Sequence, residues 1–216
     1  MPYRKVTLAV GETYHIFNRS LQNIPIFSSK REIDNFLKAM KFYLTPTPPV
    51  KFSVYRQSKK SYSIDLSDPL VKIVTYCLMP NHFHFILFQN KDNGVKTYLQ
   101  RLTNSYSHYF NLKNERKGPL FESPFKAVRV ETDEQMLHLS RYIHLNPVTA
   151  YLAEHPKDYP YSSFPAYLGE KHPLPIETSI VLSSFSSPRD YEIFVLAQKD
   201  YQRKLEEIKH LLLEEY

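Results

Sequence analysis

The chain has 216 residues, of which 42% are hydrophobic and 14% aromatic, which is enough for one compact domain with a C-terminal extension. Lysine and arginine number 28 against 22 aspartate and glutamate, and the resulting net charge of +6 favours an anionic partner. No apolar run approaches the roughly 18 to 20 residues of a membrane span, and no signal-type apolar core follows Met1, so we expect a cytoplasmic protein with no membrane partner. The single cysteine, Cys77, excludes an internal disulfide and a cysteine-rich zinc module, and its β-type surroundings predict a small buried hydrophobe.

A strand and a helix are the first predicted elements. Residues 12–20 alternate between two faces, with Tyr14, Ile16 and Asn18 on one and His15, Phe17 and Arg19 on the other. Ser28 or Ser29 then caps a helix that continues to about Leu44, where a proline-rich run ends it.

The most informative stretch follows a second predicted strand, Val71 to Met79. Pro80 and Asn81 form a tight link into a strand that carries His82 and His84. Because side chains alternate along a strand, both imidazoles point one way while Phe83 points to the apolar side. The pair is either half of a metal site or two histidines on a solvated face.

A second helix is predicted from Gly94 to about Asn114, and a fourth strand from Phe125 to Val130. A further helix opens after Thr132 or Asp133 and stops at Pro147. Its packed stripe is Met136, Leu139 or Ser140, and Ile143, whereas a separate row at four-residue spacing contains His138, Tyr142 and Asn146. We place His138 and His144 on the helix surface.

This order of elements predicts an α+β fold, a ferredoxin-like βαββαβ unit with an antiparallel sheet and a C-terminal helical extension. Both main helices should cover one face of the sheet and leave the other free. We expect a catalytic domain over residues 1–155, followed by an extended strap and helical extension over 156–216, with a helix from Arg189 to about Glu214. That helix is interpreted as a docking or dimerising element, which leaves a homodimer open.

Five motifs occur in one order along the first three-quarters of the chain: Tyr14 to Arg19, Met79 to His84, Lys117 to Glu122 with Phe125 and Lys126, Tyr142 to Pro147, and Tyr161 to Ser163. Together they resemble the HUH single-tyrosine transposases of IS200-like elements, and within them the REP-associated tyrosine transposase branch. Ser20 departs from the family, whose members usually have glycine there. Residues 46–69, which include Arg56, exceed the expected connection and are either a solvated loop or a basic flap on nucleic acid.

The resemblance implies roles for four side chains. His82, His84 and Asn146 would bind Mg²⁺ or Mn²⁺, and Tyr142 would be the nucleophile that forms a 5′-phosphotyrosine. Asn146, just before a proline, is also an ordinary helix terminator. Rival tyrosines are Tyr106 and Tyr109, although both lie on an apolar stripe that favours core packing. His15 either reaches the phosphate-binding face or is a core histidine.

The implied substrate is single-stranded DNA with hairpins, so that the protein would be nucleoid-associated when bound. Basic residues that could follow a phosphate backbone are Arg19, Arg116, Lys117, Lys126 and Arg129. Two other classes of function are open. One is a non-catalytic single-stranded nucleic-acid-binding protein with a ferredoxin-like sheet, and the other is a metal-dependent hydrolase without a protein-bound intermediate.

Overall fold

The structure is a computed structural model that describes residues 6–58, 60 and 62–204. Its principal elements follow the predicted order. The four strands are β1 (Thr13–Arg19), β2 (Val71–Met79), β3 (His82–Gln89) and β4 (Lys126–Val130). The helices are α1 (Lys30–Phe42), α2 (Phe52–Gln57), α3 (Gly94–Lys113), α4 (Asp133–Thr149), α5 (Phe164–Tyr167), α6 (Ser179–Leu182) and α7 (Pro188–Leu196).

The strands form one antiparallel sheet in the order β2-β3-β1-β4, which is the ferredoxin-like arrangement expected from the sequence. In the register of β1 with β3, Phe17 lies opposite His84 and Arg19 opposite His82. Directly paired residues of neighbouring strands share a sheet face. Consequently the face of β1 that carries Phe17 and Arg19 and the face of β3 that carries His82 and His84 form one surface of the sheet.

The main core lies between the sheet and helices α1 and α3. Tyr14, Ile16, Phe83 and Phe85 face these helices and are fully buried. Ser29 caps α1 through a reciprocal capping box with Glu32, and Lys113 of α3 pairs with the buried Glu32 carboxylate at 2.6 Å. The alternation predicted for β1 is thus confirmed, and Phe83 points to the apolar side as expected.

The opposite face of the sheet is partly covered, contrary to our expectation that it would be free. A second apolar core joins Val74, Cys77, Met79 and Ile86 of the sheet to α4, α5, α6 and α7. Burial raises the pKa of the Cys77 thiol, which confirms its place as a small buried hydrophobe. Since α4 and the segments after it cover the β2–β3 side, the open part of this face lies at the ends of β1 and β3 and along β4, where Val128 is 54% exposed.

Two helices differ from the sequence prediction. The predicted loop at 46–69 contains α2, whose Phe52 and Tyr55 pack on Phe42 at ring-centroid distances of 5.2 and 4.8 Å. The C-terminal helix begins at Pro188 as expected but is interrupted by a turn at residues 197–198, after which residues 199–204 are helical. The rest of that predicted helix, and Lys59, lie outside the described residues. No helix in the described ranges is long and apolar enough to cross a membrane.

Candidate active site

A cleft of about 710 Å³ opens where the ends of β1 and β3 meet α4. Its volume is in the range of small-molecule and nucleotide sites. Its lining includes the predicted metal ligands, the predicted nucleophile and three cationic side chains: His82, His84, Asn146, Tyr142, Arg19, Lys126 and Arg141. Residues separated by about sixty positions in the sequence therefore meet in one cavity.

The two histidines of β3 are each oriented by a second polar group. His82 Nδ1 lies 2.6 Å from Asn81 Oδ1, an acceptor, so this ring nitrogen carries the proton. His84 Nδ1 lies 3.0 Å from His15 Nε2 on β1. With Nδ1 engaged in both rings, Nε2 is in each case the nitrogen that could bind a cation. The ring centroids are 5.2 Å apart.

Electrostatics keep the buried imidazoles neutral. Burial holds the pKa of His84 well below its ordinary value, with further lowering by the neighbouring His82, His15 and Arg19 charges. Burial also lowers the pKa of His15 to about 4. A neutral imidazole is the form that binds a metal, so the His84 ring is already in the protonation state a cation requires at neutral pH.

Helix α4 brings Tyr142 and Asn146 to the cleft. Thr132 caps the helix by accepting a hydrogen bond from the Gln135 backbone N–H at 3.1 Å. Tyr142 remains 38% exposed although its neighbours in the helix are buried, and its ring meets the His84 ring at nearly a right angle with centroids 5.8 Å apart. The hydroxyl-bearing side chain thus lies beside the histidine pair on the open side.

Asn146 lies one turn after Tyr142 and is only 8% exposed. Its Nδ2 is buried and has no hydrogen-bond partner among the described residues, whereas a cation would bind the amide through Oδ1. No group of three or more His, Cys, Asp or Glu side chains comes together in the part of the chain that the structure describes. Asn146 lines the same cleft as His82 and His84, which is compatible with the ligand role that the sequence predicted for its amide oxygen. Three neutral donors would leave a divalent ion its full charge and open positions for phosphate oxygens.

Two details of α4 differ from the sequence prediction. The helix does not stop at Pro147 but includes it and ends at Thr149. His144, expected on the helix surface, is fully buried, where Nδ1 bonds Tyr191 Oη at 2.7 Å and Nε2 bonds Ser163 Oγ at 2.8 Å. The C-terminal segments cover this side of the helix, so His144 is a core residue.

The rival tyrosines lie on the other side of the sheet. Tyr106 is fully buried in the main core, and its hydroxyl donates to the Ile26 carbonyl. Tyr109 packs against the same core, with its ring centroid 5.9 Å from that of Tyr106. Neither lines the cleft, whereas His15, the residue left open by the sequence, reaches it through His84.

The five predicted nucleic-acid-binding residues separate into two groups. Arg19 and Lys126 are exposed and line the cleft, with Lys126 Nζ 5.8 Å from the Phe17 ring centroid. The others do not line it: Arg116 bonds Asn111 Oδ1 at 2.7 Å, Lys117 is exposed, and Arg129 pairs with Glu12 at 2.6 Å. Their roles stay predictions.

Arg141 is a cleft residue that the sequence did not reveal. Its side chain is only 9% exposed, and its guanidinium carbon lies 4.3 Å from the Phe194 ring centroid. Nη2 contacts His138 Nδ1 at 2.5 Å, and Nε is buried with no hydrogen-bond partner in the part of the chain that the structure describes. Its contact with Phe194 could not be read from the sequence, because the two residues are more than fifty positions apart. The one signal in the sequence is that Arg141 directly precedes Tyr142. Glu122, also unpredicted as a site residue, contributes a carboxylate to the cleft.

Comparisons with known proteins find similar sequences and a similar fold. The family described as "Transposase IS200 like" matches residues 55–146, which contain all four predicted catalytic and metal-binding residues. A Haemophilus influenzae protein assigned as a REP-associated tyrosine transposase is 28% identical over 134 residues, covering 57% of this chain and 72% of that protein.

A solved REP-associated tyrosine transposase bound to a REP hairpin has a similar fold. The TM-score is 0.55 at 16% sequence identity, and the match covers 79% of this chain and 87% of the solved one. At this identity the likeness concerns the fold, which is the mixed α/β arrangement with a four-stranded antiparallel sheet. The family match and the Haemophilus influenzae relative confirm the resemblance that the five sequence motifs predicted, and the solved structure confirms the fold.

Proposed function

From this confirmed likeness to IS200-like transposases and their REP-associated branch, we propose that the chain cleaves and rejoins single-stranded hairpin DNA, with Tyr142 as nucleophile. The observation that carries the proposal is the position of the Tyr142 ring against His84, inside a cleft that also contains His82 and Asn146. A phenol, two imidazoles and an amide are the groups that metal-assisted phosphodiester cleavage through a covalent intermediate requires.

In the proposed reaction the Tyr142 oxygen attacks the scissile phosphorus. A bond forms between that oxygen and the 5′-phosphate, and the bond from phosphorus to the 3′-oxygen breaks. The phenol loses one proton and the departing 3′-oxygen gains one, so the reaction is balanced in charge. Because the product is again a phosphodiester, a 3′-hydroxyl can reverse the attack and rejoin strands without ATP.

His82, His84 and Asn146 are the residues that would hold Mg²⁺ or Mn²⁺. When bound, the cation would polarise the scissile phosphate and offset negative charge on its oxygens. Asn81 sets the tautomer of His82, and the contact with His15 orients the His84 ring, so that little rearrangement is needed before binding. This pre-orientation supports a divalent cofactor at this end of the sheet.

Three cations of the cleft wall would bind the rest of the phosphate backbone. Arg141 lies next to the nucleophile in the helix, and its buried guanidinium has one donor, Nε, that no acceptor within the described ranges satisfies. Arg19 and Lys126 are exposed at the opposite wall and can follow an extended strand. The hairpin as a substrate feature is supported by the solved relative, which is bound to one.

The experiment is a denaturing-gel assay with a labelled hairpin oligonucleotide that has single-stranded flanks, in the presence of Mn²⁺. We expect a covalent protein–DNA adduct that survives denaturation and is lost in Tyr142→Phe. The matched control is Tyr201→Phe, because Tyr201 also lines the cleft and is 60% exposed. If Tyr142→Phe retains the adduct, the nucleophile assignment is wrong.

The same assay separates the two other classes of function. Tight DNA binding without cleavage under any divalent ion would indicate a non-catalytic nucleic-acid-binding protein. Turnover of DNA without a trapped adduct would indicate a hydrolase that uses water as the nucleophile.

A further inference from the structure

A second basic groove lies on the helical side of the protein, across the sheet from the catalytic cleft. It has a volume of about 620 Å³ and is formed by α1, α2 and the end of α3 that carries Tyr109. Four cationic side chains line it against one carboxylate, that of Asp34: Lys30, Arg31, Lys38 and Arg56. Three of the four come from α1, and the fourth comes from the insertion at 46–69.

The charge of the groove is largely uncompensated. Asp34, the one acid among the described residues of the lining, pairs with Lys30 at 2.6 Å. Within the described residues, Arg31, Lys38 and Arg56 form no ion pair with any carboxylate. Three positive charges therefore face a partly enclosed space without a protein counter-ion, which favours an anion there.

Arg56 is held in place by two residues of the groove. Its Nη1 donates to Asn35 Oδ1 at 3.2 Å, and its guanidinium carbon lies 5.0 Å from the centre of the Tyr109 ring. A guanidinium that is hydrogen-bonded at one nitrogen and stacked on an aromatic ring has lost much of its rotational freedom. Its remaining N–H donors are thus pre-oriented for an acceptor with several oxygens.

A buried amide in the wall of the groove positions Arg56. Asn35 is only 5% exposed, and because arginine can only donate, the Asn35 carbonyl oxygen must be the atom that faces Arg56. Since Asn35 is fixed in α1, its oxygen holds the Arg56 guanidinium at the wall of the groove.

We propose that this groove binds phosphate groups of the DNA backbone, as a contact separate from the catalytic cleft. The inference deepens the proposed function and rests on it for the identity of the polymer. Cations distributed over two turns of α1, from Lys30 to Lys38, suit a chain of phosphates better than one isolated ion. Because Arg56 belongs to the insertion, that segment acts as the basic flap that the sequence left as an alternative.

The test is DNA binding measured by fluorescence anisotropy over a range of salt concentrations, with a hairpin oligonucleotide as the probe. The double variant Lys38→Gln with Arg56→Gln should bind about tenfold more weakly. The slope of log affinity against log salt concentration should also decrease in magnitude, by roughly 0.7 to 0.9 for each phosphate contact that is lost. Lys41→Gln is the matched control, because Lys41 is exposed on the same helix but does not line the groove.

A second variant distinguishes a loss of DNA binding from a loss of folding. Gln57→Glu leaves Arg56 in place and adds a negative charge to the lining, so it should also weaken binding while the thermal unfolding midpoint stays that of the parent. Parental affinity and salt dependence in both variants would overturn the inference. The inference would also be overturned if the variants lost binding of inorganic phosphate or polyglutamate but kept their affinity for the hairpin.

Failure of the proposed function gives a different pattern. Tyr142→Phe should abolish the adduct and leave hairpin affinity unchanged, whereas the groove variants should lower affinity and still form the adduct at saturating DNA. If no adduct forms in the parent protein but the groove variants lose hairpin affinity, the groove assignment stands without the catalytic one.

Discussion

His15 Nε2 on β1 and His84 Nδ1 on β3 are joined by a hydrogen bond of 3.0 Å across the sheet. The bond orients a predicted metal ligand through a residue that lies 69 positions earlier in the chain. His84 also contacts the Tyr142 ring. Strand β1 is therefore connected, through His84, to both the predicted metal site and the predicted nucleophile.

Loss of the His15 side chain should weaken cation binding. In His15→Ala the His84 ring loses the partner that fixes its Nδ1, and outer-sphere substitutions of this kind typically cost about 10- to 100-fold in metal affinity or activity. We expect the Mn²⁺ concentration for half-maximal adduct formation to rise by about that factor. His15→Gln retains a side-chain acceptor and should lie between parent and alanine variant. An unchanged Mn²⁺ requirement in both would show that the pairing has no role.

Asn146 should behave as a ligand and not merely as a helix residue. Asn146→Ala removes the amide oxygen and should raise the Mn²⁺ requirement about tenfold or more, whereas Asn146→Asp restores an oxygen donor with added charge and should recover cation binding. Isothermal titration with Mn²⁺ measures both directly. The neighbouring Thr149→Ala serves as control, since Thr149 also lines the cleft but bonds only the Asn146 carbonyl. Equal affinities in Asn146→Ala and Thr149→Ala would remove Asn146 from the ligand set.

Arg141 should act on the transition state more than on folding. A hydrogen bond to a charged group contributes about 1.5 to 3 kcal/mol, so Arg141→Gln should slow adduct formation by roughly 10- to 100-fold at saturating DNA and Mn²⁺. Arg141→Lys keeps the charge but loses the fork of donors and the stacking on Phe194, and should recover only part of the rate. The thermal unfolding midpoint of each variant shows whether the substitution has also disturbed packing. A parental rate in a folded Arg141→Gln would exclude contact with the phosphate.

His144 should make stability depend on pH. Burial lowers the pKa of His144 to about 3, below the ordinary value of 6.5. The unfolded chain therefore binds a proton more readily, so the stabilisation is complete above pH 6.5 and is lost as pH falls towards the folded pKa. Between pH 7 and pH 5 this one group should cost about 2 kcal/mol of unfolding free energy. In His144→Gln the loss over the same interval, measured by urea unfolding, should be smaller by about that amount, and an equal loss would contradict the assignment.

The strands and the histidine pair were predictable because they depend on local rules. A two-residue period places His82 and His84 on one face whatever the rest of the fold does, and the four-residue period does the same for Tyr142 and Asn146. The meeting of these two rows came from the family resemblance and not from periodicity, since no local pattern specifies how a helix packs on a sheet.

The features that were missed depend on distant partners. His144 appeared to be a surface residue because the segments that bury it, around Ser163 and Tyr191, follow much later in the chain. Helix α2 has only six residues and exists because Phe52 and Tyr55 find Phe42 to pack on. The covered sheet face has the same origin, as α4 to α7 supply a second core that the four-stranded pattern alone does not predict.

The most direct test of the central claim is anomalous scattering from crystals soaked in Mn²⁺. The claim is that His82, His84 and Asn146 hold one cation beside the Tyr142 hydroxyl. We predict a single strong peak in the cleft, within coordination distance of both imidazole Nε2 atoms and the Asn146 amide oxygen. A peak bound elsewhere, or a cleft that stays empty at saturating Mn²⁺ while the protein still forms the adduct, would contradict it.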